Sequence, residues 1–155
     1  MLIIRRAAQA DITVLKEFQQ EIVEAERFFD PTLKPGVLFY YDLDQLIISP
    51  DAIVLVAEEN GVLAGTGFAQ IRTAQEYLRH SVYIYLGFMF TRPEARGKGI
   101  NKKILEGLME WSRMKGIDEI RLEVFADNKI ARQAYNNFGF QEHLVEMRYN
   151  PDKAS

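Results

Sequence analysis

Residues 83–101 read YIYLGFMFTRPEARGKGIN, and this segment is the starting point for the fold of the chain. Its first half is dense in aromatic and β-branched residues and predicts a central strand over 82–91. Its second half places Gly97 and Gly99 directly before apolar residues that recur at helical spacing. Two glycines let a loop backbone approach a ligand, and the next helix offers unpaired N–H groups at its positive end. This order of elements predicts a site for a phosphate or pyrophosphate group.

The spacing of this loop separates three phosphate-bearing ligands. The nucleoside-triphosphate loop G-x-x-x-x-G-K-[ST] is excluded because Gly99 is followed by Ile100 and Asn101. The dinucleotide fingerprint G-x-G-x-x-G is excluded because its third glycine would be Lys102. Coenzyme A remains, with lysines beside the loop for its phosphates. A tight turn with a solvated basic helix start is the alternative, which the loop alone leaves open.

The composition limits the class of protein and its chemistry. With 155 residues, 48% of them hydrophobic and 26% charged, the sequence suits one globular domain over residues 1–155 and is too short for two. The absence of cysteine excludes disulfides, thiolate metal sites and a cysteine nucleophile. No apolar run approaches the ~20 residues that span a bilayer. We therefore expect a cytoplasmic protein without a membrane partner.

The charges are unevenly distributed, although the formal net charge is only −3. Between Asp11 and Glu59, eleven acids stand against three bases and leave a local charge of −8. Between Arg92 and Lys103, five bases stand against one acid and leave a local charge of +4. The basic stretch favours an anion site in an otherwise acidic chain, and we expect no nucleic-acid partner. If several carboxylates of the acidic stretch surround the mouth of a pocket, we expect a preference for cationic molecules. The alternative is that these acids only form the solvated faces of two amphipathic helices.

The segments before residue 82 predict two helices and three strands. Asn60-Gly61 is the dipeptide most typical of a two-residue hairpin turn. Gly65 and Gly67 predict either an irregularity or a close approach in the second hairpin strand. The predicted elements are a strand at 2–5, a helix from an Asp11 cap to about Glu26, a short helix capped by Asp42 or Asp44, and hairpin strands at 53–58 and 62–72.

The segments after residue 99 predict two further helices and three strands. Gly116 and Gly139 are the predicted helix ends. The predicted elements are a helix from residue 100, a strand at 119–125, a helix capped by Asp127 or Asn128, and closing strands at 140–143 and 145–149. Mixed strands and helices in this order predict an α+β sheet with helices on both faces.

Two motifs of this half resemble those of the GNAT N-acetyltransferase superfamily. The loop from Arg96 to Asn101 is similar to the acetyl-CoA loop [QR]-x-x-G-x-[GA], with Asn101 where glycine or alanine is usual. The resemblance implies a three-layer fold with a mixed, mostly antiparallel central sheet of about seven strands. It also implies an enzyme that transfers an acetyl group from acetyl-CoA to an amine. The second motif, N-x-x-A-x-x-x-Y-x-x-x-G-F, is matched by Asn128, Ala131, Tyr135, Gly139 and Phe140.

The resemblance also implies a role for individual residues. Backbone groups of three strand residues would pair with the pantetheine arm, and the loop would hold the pyrophosphate. Asn128 would form a hydrogen bond with acetyl-CoA, and Tyr135 would lie near its sulfur. No metal is implied. The strand residues are Met89, Phe90 and Thr91, and the loop residues are Arg96, Gly97, Lys98, Gly99, Ile100 and Asn101.

Without cysteine, an acyl-cysteine intermediate is excluded, and the acetyl group can pass directly to the acceptor. A base or a water chain must then take the proton of an amine with a pKa near ~10.4. Glu123 is the first candidate, because it matches the general base of ribosomal-protein N-terminal acetylases, five residues before the motif asparagine. An ion pair with Arg121 or a helix lysine is the alternative role of Glu123. The Tyr135 phenol, with a pKa near ~10, would stabilise the departing thiolate. The other candidate bases are Glu21, Glu24, Glu58 and His80.

The sequence leaves the acceptor open. A small-molecule amine, a protein N-terminus and a lysine side chain all remain, and so does a homodimer. The alternative function is a non-catalytic acyl-CoA-binding or sensing module of the same fold.

Overall fold

A computed structural model describes residues 1–152 of the chain. The chain divides into two compact units, one over residues 1–123 and the other from Val124 onward. The first unit contains a sheet and three α-helices, and the second contains one α-helix within the described residues.

The first unit contains a five-stranded sheet made of β1 (Leu2–Arg6), β2 (Ala52–Glu59), β3 (Val62–Thr73), β4 (Val82–Thr91) and β5 (Ile120–Leu122). The strands lie in the order β1-β2-β3-β4-β5. The first four are antiparallel to their neighbours, whereas β5 runs parallel to β4. The mixed, mostly antiparallel α+β architecture predicted from the sequence is confirmed.

Helices cover both faces of this sheet. On one face, α1 (Ile12–Arg27) and α2 (Leu43–Ile48) contribute to a buried core cluster that includes Phe18 and Phe68. On the other face lies α3 (Ile100–Met114), whose Gly107 packs against the Leu55 side chain. The apolar residues of α1 and α3 recur every three to four positions, so each helix buries one side. Among residues 1–152, no helix combines the length and the apolar character needed to cross a bilayer.

The hairpin between β2 and β3 turns at Asn60-Gly61, as predicted. Asn60 has a φ of 52° and Gly61 a φ of 82°, and two positive values are what a type I′ turn requires. The Asn60 side-chain oxygen also accepts a hydrogen bond of 2.8 Å from the terminal ammonium of Met1. The turn is therefore tied to the start of β1.

Two glycines of β3 let α3 approach the sheet closely, which confirms the prediction for Gly65 and Gly67. A Cβ on Gly65 would lie 2.8 Å from the Phe90 carbonyl oxygen. A Cβ on Gly67 would lie 2.5 Å from the Met89 sulfur and 3.0 Å from a methyl group of Ile104. Neither position has room for a side chain.

Strand β4 carries one extra residue opposite β3. Thr66 pairs with Phe90 and Phe68 pairs with Gly87, so two steps along β3 match three steps along β4. Phe88 lies in this bulge with a φ of 57°, a region that non-glycine residues rarely adopt.

The bulge changes which side chains share a face of the sheet. In a regular strand, Tyr85 and Phe88 would point to opposite faces. Here Phe88 and Phe90 belong to the core cluster beneath α1 and α2, and Tyr85 packs against the same cluster. Met89 instead contacts the Gly67 position beneath α3.

The second unit contains α4 (Lys129–Phe138). The side-chain oxygen of Asn128 accepts a hydrogen bond of 3.2 Å from the Ala131 N–H and caps the helix. Gly139, with a φ of 126°, ends it. The sequence signals for both ends of α4 are confirmed.

The predicted closing strands are wrong for the described residues. Residues 140–143 and 145–149 form no strand, so the sheet within residues 1–152 has five strands rather than about seven. Local apolar patterning is weak evidence for a strand, because cross-strand pairing supplies most of its stability. The same limit shortens the predicted strand at 119–125 to β5, whose pairing with β4 ends at Leu122.

Asp11 binds residues that precede it instead of capping α1. Its carboxylate accepts hydrogen bonds from the Arg5 guanidinium at 2.8 Å and 3.0 Å and from the Ala8 N–H at 2.7 Å. The guanidinium holds the pKa of this carboxyl below its usual value. The predicted cap is wrong because a 3₁₀ turn over Gln9–Asp11 precedes the helix and directs the carboxylate back towards β1.

We expect Gly65→Ala to lower the free energy of unfolding by roughly 1–3 kcal/mol, because the new methyl group meets a carbonyl oxygen that is fixed in the sheet. Gly67→Ala is the matched control, since its methyl group meets the flexible end of Met89 and costs less. Urea unfolding of the wild type and both variants measures the difference. Equal losses in the two variants would contradict this account of the packing.

Candidate functional site

The glycine loop between β4 and α3 leaves open space in front of its backbone. Gly97 and Gly99 have φ values of 81° and 77°, and no atom lies within 4 Å of a Cβ built on either residue. α3 begins at Ile100, so the N–H groups of its first turn have no intrahelical acceptor. Open space before unpaired N–H groups at a helix start is suited to phosphate oxygens.

Exposed basic side chains surround this loop. Lys98 lies 3.4 Å from the Glu59 carboxylate at the surface, a contact weak enough for a phosphate to replace. Arg96 donates a hydrogen bond of 3.2 Å from Nε to the Thr91 carbonyl oxygen, which ties the loop to the end of β4. Lys102 and Lys103 are exposed in the first turn of α3. The loop therefore presents several cations and few competing partners.

The end of β4 lies beyond its pairing with β5. β5 pairs with residues 84–86 of β4, so inside the first unit Met89, Phe90 and Thr91 have no ladder partner on that side. An extended molecule with amide groups can bind such an edge as an added strand. The Thr91 hydroxyl is buried and has no hydrogen-bond partner among residues 1–152. These features fit the pantetheine arm that the family resemblance implies.

A cavity of about 260 Å³ opens between α2 and β3 on the face opposite α3. A neighbouring depression of about 390 Å³ shares part of its wall. Aromatic and polar groups alternate around the smaller cavity, which makes it suitable for a small polar molecule. Its lining includes Tyr40, Tyr41, Asp42, Phe68, Gln70 and Arg72.

Gln19 of α1 fixes one wall of this cavity from within the core. Its side chain is buried, and Oε1 accepts hydrogen bonds from the N–H groups of Tyr40 at 2.8 Å and Tyr41 at 2.9 Å. These two residues precede α2 and belong to no strand or helix, so no sheet partner accepts from their N–H groups. A single buried amide therefore holds the segment that forms the wall.

Tyr41 connects the cavity to the bulge of β4. Its ring packs 5.0 Å from the Phe68 ring and 5.5 Å from the Phe88 ring. Burial raises the pKa of the Tyr41 hydroxyl, and the backbone N–H of Phe88, which faces that hydroxyl, offsets part of the rise. The cavity and the bulge therefore adjoin each other.

Glu123 lies just after β5, with its carboxylate facing Tyr85. Burial raises the pKa of Tyr85, and the negative charge of Glu123 raises it further. The same carboxylate contributes to the raised pKa of Tyr41. Arg121, the alternative partner considered for Glu123, instead forms an ion pair with Glu119 at 3.1 Å. The structure therefore places Glu123 beside two tyrosines.

Three of the four other candidate bases have partners elsewhere. Glu58 pairs with Arg5 at 3.1 Å, and Glu24 pairs with Arg27 at 3.0 Å. Nε2 of His80 lies 2.8 Å from the Arg121 guanidinium. The fourth candidate is Glu21, which is exposed on α1. Neither these four residues nor Glu123 line the smaller cavity in the described part of the chain, but Glu123 lies beside Tyr41, which does.

Asn128 and Tyr135 belong to the second unit and lie on one side of α4. They are seven positions apart, which is close to two helical turns. Because the Asn128 oxygen caps the helix, its amide NH₂ is the group left to donate to a ligand. The Tyr135 ring meets the Phe140 ring edge-on, with centroids 5.9 Å apart.

The structure does not gather the eleven acids of residues 11–59 around the smaller cavity. Asp42 is the one carboxylate that lines it among residues 1–152, and its oxygen also accepts from the Gln45 N–H to cap α2. Others form ion pairs, such as Asp11 with Arg5 and Asp44 with Lys16. The condition for a general preference for cations is therefore not met at this cavity.

The comparison with protein families agrees with this geometry. The model described as "Acetyltransferase (GNAT) family" matches residues 15–140, a span that contains both the glycine loop and the asparagine-tyrosine motif. The chain belongs to the GNAT acetyltransferase family. The family predicted from the two motifs is thereby confirmed.

Individual relatives of this GNAT chain differ in how much of it they cover. The uncharacterized N-acetyltransferase YycN of Bacillus subtilis is 38% identical over 52% of this chain and 51% of its own length. The L-methionine sulfoximine/L-methionine sulfone acetyltransferase of Salmonella typhimurium is 29% identical over 88% of this chain and 78% of its own. A predicted acetyltransferase from Clostridium acetobutylicum, crystallised with acetyl-CoA, shares the fold with a TM-score of 0.72 and 21% identity over 99% of each chain.

Three residues of the candidate site were missed in the sequence. Gln19 stands among the apolar positions of α1, where a buried amide must find hydrogen-bond partners. Arg72 and Gln70 share the Phe68 face of β3, a face that is otherwise directed at the core. Polar residues at core-facing positions of a regular element are the signal that could have found them.

We expect Gln19→Leu to lower the free energy of unfolding by about 2–4 kcal/mol, because the N–H groups of Tyr40 and Tyr41 lose their buried acceptor. The matched control is Gln20→Leu. Gln20 bonds the backbone of Leu38 and is more exposed, so water can replace its contacts and the loss is smaller. Thermal and urea unfolding compare the two variants. A loss from Gln20→Leu that equals the loss from Gln19→Leu would refute the anchoring role.

Proposed function

We propose that this chain transfers an acetyl group from acetyl-CoA to a primary amine by direct transfer in a ternary complex. The observation that carries the proposal is the loop at Gly97 and Gly99, which has an open backbone and basic surroundings. This loop follows the unpaired edge of β4 and leads directly into the start of α3. Membership of the GNAT family supports acetyl-CoA as the donor substrate.

On the donor side, the loop residues from Arg96 to Asn101 bind the pyrophosphate through backbone N–H groups and basic side chains. Ile100 is buried and contributes its N–H rather than its side chain. Met89, Phe90 and Thr91 bind the pantetheine arm through the backbone, and the unpartnered Thr91 hydroxyl supports this assignment. Asn128 donates its amide NH₂ to the same substrate.

On the acceptor side, the amine must lose a proton before it can react. For an amine with a pKa of ~10.4, deprotonation at pH 7 costs about 4.6 kcal/mol. Glu123 is the proposed base, supported by its position beside Tyr85 and Tyr41 and by the lack of an ion pair to it among residues 1–152. Tyr85 orients this carboxylate from within the sheet.

Tyr135 is the proposed donor to the departing thiolate. Its phenol, with a pKa of ~10, faces a thiol group with a pKa of ~8.5, so full proton transfer is about 2 kcal/mol uphill. Hydrogen bonding to the sulfur is therefore the main contribution expected from Tyr135. Its place in the family motif supports this role.

The acceptor is proposed to be a small molecule rather than a protein N-terminus or lysine side chain. The Salmonella relative carries the name of an acetyltransferase for L-methionine sulfoximine and L-methionine sulfone. The family match crosses the boundary between the two units, which supports one N-acetyltransferase domain over residues 1–155.

A panel of amines with acetyl-CoA, read out as release of free thiol, tests the activity. If acetyl-CoA binds but no amine in the panel causes release of thiol, an acyl-CoA-binding module is favoured instead.

We expect acetyl-CoA to raise the Tm of the wild type and Gly99→Glu to abolish the shift, because a carboxylate in the loop repels the phosphates. Gly116→Glu is the matched control: its φ of 72° is similar, it has the same open surroundings, and it follows the other end of α3. The control is expected to lose stability but keep the acetyl-CoA shift. A wild type without any shift at millimolar acetyl-CoA would refute the proposed donor.

We expect Tyr135→Phe to lower kcat by roughly 10- to 10⁴-fold with little change in the affinity for acetyl-CoA, because the variant loses the phenolic hydroxyl alone. Tyr77→Phe, which changes an exposed tyrosine before β4, is the control for the chemical change. Steady-state kinetics with a reactive amine and acetyl-CoA titration measure the two quantities. An unchanged kcat would assign Tyr135 a structural role.

A further inference from the structure

We propose that the acceptor carries a carboxylate beside its amine, as an α-amino acid does, and that Arg72 binds this carboxylate. The inference rests on the proposed acetyltransferase activity and names the substrate class of its acceptor cavity.

Arg72 is held in place but has no charged partner. Its Nε donates a hydrogen bond of 3.0 Å to Gln70, and its guanidinium lies 3.8 Å from the centre of the Tyr85 ring. Among residues 1–152, no carboxylate forms an ion pair with Arg72, although the side chain lines the cavity. The two terminal NH₂ groups therefore remain for a ligand.

The register of the sheet explains why this guanidinium is so well fixed. Gln70 lies opposite Tyr85 in the β3–β4 pair, and Arg72 is two residues further along the same face of β3. Arg72 and Tyr85 are therefore diagonal neighbours, close enough for a long side chain to stack on the ring. A planar fork fixed in this way is suited to binding a carboxylate through two hydrogen bonds.

Tyr85 also places this cation near the proposed base. Its ring carries the Arg72 guanidinium on one face, and its hydroxyl faces the Glu123 carboxylate. A molecule whose carboxylate binds Arg72 can therefore present an amine a few ångströms away, on the side of Glu123. α-Amino acids have this short spacing between carboxylate and amine.

Charge and size favour the same class. Within residues 1–152 the cavity is lined by one cation, Arg72, and one carboxylate, Asp42. A zwitterion therefore meets an opposite charge for each of its two groups, whereas a diamine without a carboxylate meets a like charge at Arg72. The cavity of about 260 Å³ is smaller than the ~300–1,000 Å³ pockets of drug-sized ligands. A small zwitterion fits both conditions better than a large polycation.

The test uses three kinds of acceptor. The first kind is an amino acid with a neutral side chain: alanine, methionine or glutamine. The second is the primary amide of each of these amino acids, and the third is 1,4-diaminobutane. Thiol release from acetyl-CoA gives kcat/KM for the wild type, Arg72→Gln, Arg72→Lys and the control Arg79→Gln, which removes an exposed arginine outside the cavity. We expect Arg72→Gln to lower kcat/KM for the acids by about 10- to 100-fold and to change the amides little, since the amides lack the charged partner. Arg72→Lys is expected to lose less, and Arg79→Gln to match the wild type.

The outcomes separate this inference from the function on which it rests. Equal losses for acids and amides in Arg72→Gln, or a wild type that prefers 1,4-diaminobutane to every acid, would overturn the carboxylate site and leave the acetyltransferase standing. If none of the tested amines causes release of thiol, both the carboxylate site and the acetyltransferase activity are overturned. Melting temperatures of the Arg72 variants close to that of Arg79→Gln assign a selective loss to recognition rather than to folding.

Discussion

The extra residue in β4 is the constraint on which the arrangement of the first unit depends. By shifting the register against β3 by one position, it directs Phe88 and Phe90 into the core beneath α1 and α2 and leaves Met89 beneath α3. The Phe88 N–H then faces Tyr41, at the edge of the cavity. Without the bulge, the strand that is proposed to bind the donor would present the wrong side chains to the acceptor side. The positive φ of Phe88 is thus a local strain that the surrounding core maintains.

Strand β3 divides the two faces by residue size. Gly65, Gly67 and Ala69 are small, and the glycines admit α3 at contact distance. The intervening positions carry Phe68, Gln70 and Arg72, which line the cavity. The alternation of small and large side chains along β3 therefore determines two things. It sets how closely α3 packs on one face of the sheet, and it sets which side chains line the cavity on the other face.

Much of this architecture can be read from the sequence, because it rests on local signals. The Asn60-Gly61 turn, the close approach at Gly65 and the cap at Asn128 each follow from the conformational needs of a few residues. The bulge at Phe88 cannot be read in this way, since a positive φ in a phenylalanine is imposed by pairing with β3 and not by its own preference. The contacts of Glu123 and Arg72 with Tyr85 depend on strand register, which a single sequence does not encode locally.

The buried amide of Gln19 has a consequence for how such a chain can diversify. Because one side chain on α1 satisfies the backbone at Tyr40 and Tyr41, the preceding stretch of residues 28–38 can vary in sequence without unpairing that wall. The glycine loop lies on a different connection of the sheet, between β4 and α3, so substitutions in residues 28–38 do not alter its sequence. The fold thus separates the segment that leads to the cavity wall from the glycine loop between β4 and α3. A library restricted to residues 28–38, with Gln19 kept, therefore varies the segment that leads to the cavity wall without removing the acceptor for the Tyr40 and Tyr41 N–H groups.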